Sequence, residues 1–166
     1  MDNEEIVEKL NKGEVEKQTE ETQEQQRKFV VFSIGEKKFA LPAEEVKEIS
    51  FDNQIYYVPF LPPYVRGYAN RHGTPFTVMD VQTLFDNSPL ESGTLLILNI
   101  PNEQLALLIS DVEEIIKMPE SEVHSITSND ESSKYFSESI TVGDTETFVL
   151  YTATLLERLE HDIERI

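Results

Sequence analysis

The sequence predicts a mainly β protein made of two tandem, small, barrel-like units with short helical turns and a C-terminal α-helix. Three observations support this fold class. Short apolar segments of strand length alternate with turn residues, a set of these segments recurs in the second half, and one amphipathic stretch stands at the end of the chain. Each repeated unit holds four or five short strands, which are too few for an open sheet but suit a small closed barrel.

The first unit begins with two strands joined by a tight turn. The segment FVVFSIGEKKFAL, residues 29–41, predicts this pair with the turn at Gly35-Glu36. Pro42 then predicts the start of a single helical turn, because proline is tolerated at the first helical position and acids favour the first turn. Val46 and Ile49, three residues apart, would lie on the apolar side of that turn.

A proline-rich stretch at residues 56–85 predicts a stiff hairpin. Residues 65–70 and 75–80 have the pattern of two short strands, with residues 71–74 as the turn and a helical turn, VQTLF, after them. Gly73 suits a left-handed turn position, where a residue with a Cβ is strained. The hairpin is either a plain structural part of a barrel or a surface presented to a partner.

The second half repeats the order of the first, which predicts a duplicated unit covering about 29–85 and 95–156. The offset between matched positions is constant at first and becomes slightly larger after a short insertion in the second copy. The matched segments are 29–34 with 95–100, 39–41 with 105–107, Val46 with Val112, Tyr64 with Tyr135, and 84–85 with 155–156. Matches in the same order with matching turns favour duplication over a chance run of apolar residues.

The two ends of the chain differ in character. Residues 1–28 are almost wholly polar and acidic, which predicts a flexible tail that either solubilises the protein or serves as a docking arm. Residues 152–166 predict an amphipathic helix that packs across the barrels. Thr154 and Glu157 have the spacing of a capping box at its start, and an apolar stripe runs to Ile166.

Composition excludes several classes of function. The net charge of −18, from 32 acidic and 14 basic residues, argues against binding to nucleic acid or to an anionic membrane surface. The acidity indicates either ordinary solubility or a charge-guided contact. No apolar run reaches the length of a membrane-spanning helix, and no signal-peptide pattern is present, so no direct membrane insertion is expected. The absence of cysteine excludes disulfides and fits the cytoplasm.

The sequence offers little that indicates catalysis. His72, His124 and His161 stand far apart, and the acidic residues around Val112 have the pattern of the exposed side of a half-buried element. No phosphate-binding glycine loop or nucleophile motif occurs. We therefore expect a binding module with no cofactor and no metal. An enzymatic or small-molecule-binding barrel remains an alternative that requires a deep pocket with converging polar side chains.

Three motifs resemble those of CheW-type chemotaxis coupling proteins. They are the ALP at residues 40–42 followed by V-x-E-I, the P-P-x-V-x-G before an Asn-x-x-Gly turn, and the strand that ends in Asp80. The resemblance covers residues 29–158. It implies two SH3-like five-stranded barrels side by side and a non-enzymatic adaptor in the cytoplasm, at membrane-associated receptor arrays. Such adaptors bridge the cytoplasmic tip of a methyl-accepting chemoreceptor to the regulatory domain of a CheA-type histidine kinase.

The resemblance also implies two sets of contact residues. In this family the receptor helix lies in a groove between the barrels, which would be apolar because receptor tips are amphipathic helices. The positions that match the receptor surface are Val46, Glu48, Ile49, Gly67, Asn70 and His72. The kinase contact uses edge strands of the first barrel, and its matches are Arg66, Arg71 and Asp80.

The turn of the hairpin departs from the family pattern. The usual Asn-Leu-Arg-Gly is here Asn70-Arg71-His72-Gly73, so a histidine stands in place of the arginine that reaches the partner. Arginine is a permanently charged fork, whereas histidine is mostly neutral at pH 7. Gln82 likewise replaces an arginine, and in the second half Glu138 and Tyr151 replace the usual glycine and Asp or Asn. The alternative hypothesis is therefore a specialised scaffold with altered partner specificity, in another receptor array or motility pathway.

Overall fold

The computed structural model describes residues 25–127 and 129–164, and the described part of the chain is mainly β. Its first half contains β1 (Gln26–Ile34), β2 (Lys37–Pro42), β3 (Val46–Ser50), β4 (Val65–Arg71), β5 (Thr74–Met79) and helix α1 (Val81–Asp86). Its second half contains β6 (Thr94–Leu98), β7 (Leu105–Ile109), β8 (Asp111–Pro119), β9 (His124–Ser125), β10 (Phe136–Val142), β11 (Thr145–Leu150) and helix α2 (Thr152–Glu164). The predicted mainly β class, with short helical turns and a C-terminal helix, is confirmed.

Each of the two sheets combines strands from both halves of the chain. One has six strands in the order β8-β1-β2-β11-β10-β9, and the other has five in the order β3-β6-β7-β5-β4. Strands of different halves meet in the parallel pairs β2–β11 and β5–β7 and in the antiparallel pairs β1–β8 and β3–β6. The two units expected from the sequence are present, but the halves of the chain exchange their first hairpins: β1 and β2 lie in the sheet of β8–β11, and β6 and β7 lie in the sheet of β3–β5.

Equivalent elements recur at the offset that relates Tyr64 to Tyr135 in the sequence. The matching first residues are Val65 of β4 and Phe136 of β10, Thr74 of β5 and Thr145 of β11, and Val81 of α1 and Thr152 of α2. The same irregularity also recurs, because the β4–β5 ladder shifts register between Val65 and Gly67 and the β10–β11 ladder shifts between Phe136 and Glu138. The two halves therefore share local structure although they do not form separate sheets.

The predicted helical turn after Pro42 is wrong beyond its first residues. A short 3-10 turn covers Ala43–Glu45, and the chain then enters β3. The ladder of β3 with β6 shifts register between Val46 and Glu48, so one extra residue is inserted there. Val46 and Ile49 consequently both pack on the main core, although residues three apart in a regular strand point to opposite faces. The bulge therefore places two strand residues three positions apart on the same face, which is the spacing that the sequence analysis interpreted as helical.

The hairpin forms as predicted, with a shorter turn. Arg71 and Thr74 are paired in the β4–β5 ladder, so the connection contains two residues, His72 and Gly73. Both have positive φ, 51° and 84° respectively, as the tight two-residue hairpin turn requires. The turn at Gly35-Glu36 is also found where the sequence predicted it.

Two cores hold the described part of the molecule together. The larger one lies between the sheets and includes Phe32, Leu41 and Val78 of the first half, Leu96 and Leu107 of the second, and two residues of α2, Leu155 and Leu159. The smaller one lies on the other face of the six-stranded sheet and contains Phe29, Val31, Ala40, Met118, Ile140 and Val149. Because strands of both halves fill both cores, neither core belongs to one repeat.

At both ends of the described chain, the structure differs from the boundaries that the sequence predicted. Strand β1 already begins at Gln26, so the last residues of the predicted tail are part of the six-stranded sheet. The predictions for residues 1–24 and for Ile166 lie outside the described residues. Helix α2 begins at Thr152, two residues before the predicted cap. The Thr154 hydroxyl instead donates to the carbonyl of Tyr151 at 2.8 Å, so the proposed capping box is wrong.

Candidate binding surfaces

Glu48, Arg71 and His72 meet at one end of the five-stranded sheet. Strands β3 and β4 are the two edges of this sheet, and an ion pair between Arg71 Nη2 and Glu48 Oε1 joins them. The two side chains are 29% and 30% exposed. Together with His72 and Lys47 they line a polar pocket of about 350 Å³ at that end. The ion pair connects a residue predicted to contact a receptor with one predicted to contact a kinase.

The hairpin tip presents polar side chains to solvent. Asn70 and His72 are exposed, and Arg71 between them points into the pocket where Glu48 accepts its hydrogen bond. The Arg71 guanidinium thus already forms an ion pair within the protein. The tip therefore offers an amide and an imidazole, but no free guanidinium, to an approaching molecule.

Asp80 is a buried organising residue. Its side chain is fully buried, and its carboxylate accepts from Arg66 Nη1 at 2.9 Å, from the amide and hydroxyl of Thr83 at 3.1 and 2.9 Å, and from the Leu90 amide at 2.9 Å. It caps the first turn of α1 and holds Arg66, which also donates to the Leu90 carbonyl. Asp80 is therefore a structural residue of the hairpin, and its part in the predicted kinase contact would be to position Arg66.

Gly67 is buried and allows two chain segments to touch. Its φ is 132°, and a Cβ at this position would lie 2.0 Å from the carbonyl oxygen of Tyr56. Tyr56 pairs with β4 through two backbone hydrogen bonds to Tyr68, of 2.7 and 2.9 Å. The glycine is therefore required by the close approach of the loop.

Five exposed aromatic residues lie in or beside the loop that carries Tyr56, and the sequence analysis did not identify them. Phe60 is 86% exposed and Tyr57 78% exposed, and the others are Phe51, Tyr56 and Tyr68. Phe60 also has a φ of 66°, which is unusual for a bulky residue. We call residues 51–60 the aromatic loop. Its signal in the sequence is four aromatic residues with a single charged residue, Asp52, among them.

An apolar cleft lies beside α1 and α2, away from the predicted receptor residues. It encloses about 570 Å³, and its lining includes Phe39, Phe85, Phe136 and Phe148. The rings of Phe39 and Phe136 are stacked with centroids 6.0 Å apart. Val46 and Ile49, which the sequence placed in an apolar groove, do not line this cleft. They are half-buried on β3 and pack on the main core.

Groups typical of catalytic or metal sites do not converge in the described part of the chain. Among residues 25–127 and 129–164, no three histidine or carboxylate side chains lie close enough to bind a metal ion together. Neither described helix is both long and apolar enough to cross a membrane.

Comparison with known protein families shows to which family this chain belongs. A family model described as the CheW-like domain matches residues 28–160. The chain belongs to the CheW-like family. The match includes both sheets and most of α2, so the exchanged-strand architecture and the surfaces described above all lie within the CheW-like domain.

Curated relatives of this CheW-like chain are named as chemotaxis proteins. The "Chemotaxis protein CheW" of Treponema pallidum (strain Nichols) is 26% identical over 109 residues, which cover 61% of this chain and 64% of the relative. The protein of that name from Klebsiella aerogenes is 20% identical over 95 residues, covering 55% and 57%. The alignments thus span less than two thirds of each relative's own length.

A solved CheW structure has the same fold. The crystal structure of the scaffolding protein TtCheW from Thermoanaerobacter tengcongensis superposes with a TM-score of 0.68, and the match covers 76% of this chain and 90% of that one. The two sequences are 22% identical, so the likeness concerns the fold.

Proposed function

We propose that this CheW-like protein is a non-enzymatic cytoplasmic adaptor that couples chemoreceptors to a CheA-type histidine kinase at membrane-associated receptor arrays. Membership of the CheW-like family and the chemotaxis names of its relatives support the proposal. The partners are the cytoplasmic tip of a methyl-accepting receptor and the regulatory domain of the kinase.

The observation that carries the proposal is the convergence of the receptor candidates on one end of the five-stranded sheet. Val46, Glu48 and Ile49 lie on β3, and the Arg71–Glu48 ion pair brings the tip of the β4–β5 hairpin, with Asn70 and His72, beside them. The resulting surface combines half-buried apolar side chains with exposed polar ones. An amphipathic receptor helix requires that combination, because its apolar stripe is flanked by polar residues.

We assign the kinase contact to the outer side of β4. Arg66 lies there, part-exposed, with Asp80 beneath it as its positioning residue. The aromatic loop adjoins the same strand through the Tyr56–Tyr68 bridge and supplies exposed apolar area. Aromatic side chains are the residue type most enriched at the centres of protein interfaces.

Calorimetric titration of the full chain with a receptor-tip fragment, and separately with a kinase regulatory domain, tests the proposal. Asn70→Ala should weaken receptor binding with little change in kinase binding, and Phe60→Ser should do the reverse. Glu146→Ala, an exposed change on β11, serves as the matched control. Absence of binding to both fragments would refute the adaptor function, and equal losses in both titrations would refute the division into two surfaces.

A second candidate function, a specialised scaffold with altered partner specificity, is favoured by one observation. Both arginines of the hairpin have internal partners, Arg66 with Asp80 and Arg71 with Glu48, and His72 occupies the turn. His72→Arg would place a guanidinium at the exposed tip. A gain of about tenfold or more in affinity for a general receptor or kinase fragment, the value of one charge-assisted hydrogen bond, would support this candidate. Unchanged affinity would show that His72 does not set specificity.

A further inference from the structure

The apolar cleft beside α1 and α2 is lined by a connected series of aromatic rings. The ring centroid of Phe136 lies 5.2 Å from that of Phe148, 5.6 Å from that of Phe85 and 6.0 Å from that of Phe39. Tyr135 extends the series, because its ring centroid is 5.5 Å from that of Phe85. Aromatic pairs at these separations attract each other, so five rings form one apolar binding surface.

Phe148 is the ring of this series that the main core does not cover. It pairs with Phe39 in the parallel ladder of β11 with β2, so both rings lie on the face of the six-stranded sheet that carries the main core. Phe39 is 6% exposed and belongs to that core, whereas Phe148 is 39% exposed and is not among its residues. The exposed side of the Phe148 ring can therefore pack against an apolar ligand.

Two positive charges meet the aromatic series at Tyr135. The Lys134 ammonium lies 5.2 Å from the centroid of the Tyr135 ring, and Arg158 Nη1 donates to the Tyr135 hydroxyl at 2.9 Å. The carboxylate nearest to Lys134 is that of Glu131, 3.5 Å away, and the Glu131 side chain is 97% exposed. Ion pairs this exposed contribute little, so a ligand anion can take the place of Glu131 beside Lys134.

The lining of the cleft has the opposite charge balance to the chain as a whole. It contains three basic residues and two acidic ones, whereas the chain contains 14 basic and 32 acidic residues. The third base, Lys37, is paired with Asp86 at 3.2 Å, and both side chains are largely exposed. A local excess of positive charge on so acidic a chain favours an anionic occupant, because most of the remaining surface repels anions.

The cleft also has the size of a small-molecule site. Its volume of about 570 Å³ lies in the range of ligand pockets, which combine an apolar lining with a few polar groups that orient the ligand. We propose that the cleft binds a small aromatic carboxylate, whose ring packs against Phe136 and Phe148 and whose carboxylate accepts from Lys134 and Arg158. The Arg158 donor is Nη2, the nitrogen that the bonds to Asp162 and Tyr135 do not use.

Calorimetric titration of the full chain with naphthylacetate tests the proposal. The neutral amide, naphthylacetamide, should bind about tenfold more weakly, because it lacks the charge that the two cations recognise. The fully hydrogenated, non-aromatic analogue of naphthylacetate should also bind more weakly, by about threefold or more, since it loses the ring–ring contacts. Added salt should weaken the binding of the carboxylate and leave that of the amide unchanged.

Variants separate the two parts of the site. Phe148→Thr, which keeps a β-branched residue in the strand, should weaken naphthylacetate binding about tenfold, whereas Phe148→Tyr, which keeps the ring, should not. Lys134→Gln should weaken it about threefold, because the ammonium is part-exposed. Lys117→Gln, an equivalent change of an exposed lysine on β8, is the matched control. Circular dichroism verifies that each variant is folded.

Fluorine NMR of the chain labelled with fluorophenylalanine locates the ligand. The signals of Phe136 and Phe148 should shift and saturate with naphthylacetate, while that of Phe51 in the aromatic loop should stay in place. The absence of saturable shifts up to millimolar ligand overturns the proposal, and so does equally tight binding of the amide or of the hydrogenated analogue. Tighter binding of an acidic peptide that contains phenylalanine would assign the cleft to a protein partner and overturn it as well. None of these outcomes bears on the proposed adaptor function.

Discussion

At the scale of single residues, two glycines in the same hairpin have different tasks. Gly67 and Gly73 both have positive φ, but a Cβ at Gly67 meets the Tyr56 backbone whereas a Cβ at Gly73 meets nothing within 4 Å. Gly67 is therefore required both by its positive φ and by the lack of space for a Cβ. Gly73 is required by its positive φ alone. The difference determines how far each position tolerates a side chain.

Gly67→Ala should destabilise the protein by about 2 to 4 kcal/mol, because the loop carrying Tyr56 must move away from β4 to admit the methyl group. Gly73→Ala, the matched control, should cost about 1 kcal/mol, the penalty of a left-handed alanine. Urea unfolding of both variants measures the difference. Equal costs would contradict the close approach of Tyr56 to Gly67.

At the scale of elements, one side-chain network ties α2 to both halves of the chain. Arg158 donates to the Tyr135 hydroxyl at 2.9 Å and to Asp162 at 2.6 Å, and Asp162 accepts from the Tyr64 hydroxyl at 2.6 Å. Tyr64 and Tyr135 are equivalent residues of the repeat, standing before β4 and β10. Helix α2 thus forms hydrogen bonds with the equivalent tyrosine of each half of the chain.

This network has a defined pH dependence. The hydrogen bond from Tyr64, and then that from Arg158, lower the pKa of Asp162. Burial, followed by the hydrogen bond to Asp162, raises the pKa of Tyr64. A carboxylate whose pKa is lowered by folding stabilises the folded state above its unfolded pKa of about 3.9, and this stability is lost as the pH falls through the folded pKa.

Asp162→Asn should therefore reduce the free energy of unfolding at pH 7 by about 1 kcal/mol, since the charge-assisted bonds are part-exposed and screened. The difference from the original protein should stay constant at neutral pH and shrink below about pH 4. Urea unfolding at a series of pH values checks this. A difference that persists undiminished in acid would show that the ionised form of Asp162 is not what holds α2.

At the scale of the whole molecule, the exchange of strands makes the two halves depend on each other. Strands β1 and β2 pair with β8 and β11, while β3 and β5 pair with β6 and β7. The main core takes its side chains from both halves. A half separated from the other would expose the edges of these strands and most of its apolar faces.

We expect a fragment of residues 25–92, cut in the connection before β6, to lack cooperative unfolding by circular dichroism. Mixing it with a fragment of residues 93–164 should restore β structure, because each fragment supplies the missing partners of the other. Cooperative folding of the first fragment alone would contradict the mutual dependence of the halves.

The surfaces were predictable from sequence in part. The hairpin tip with Asn70 and His72 is exposed as the motif implied, because turn chemistry is local. Asp80 and Gly67, also predicted at partner contacts, are buried, because the motif contains residues that organise the hairpin as well as exposed ones.

The second half is held together differently at the equivalent positions. Tyr151 stands where Asp80 would be expected, and Glu138 stands where Gly67 would be expected. Glu138 accepts two hydrogen bonds of 3.1 Å from the Arg27 guanidinium, and this bidentate pair links β1 to β10. In the second half, the Glu138 side chain thus links two strands, whereas the equivalent position of the first half, Gly67, has no room for a side chain.

The sequence by itself determined where the strands of the β1–β2 and β4–β5 hairpins lie, which segments are equivalent and where those hairpins turn. These depend on apolar periodicity, glycine and proline, all of which act within a few residues. The tertiary structure alone decided that the β1–β2 and β6–β7 hairpins each pair with strands of the other half and that Glu48 and Arg71 neutralise each other. Those outcomes depend on pairing between residues far apart in the chain, and many pairings are compatible with the same local pattern.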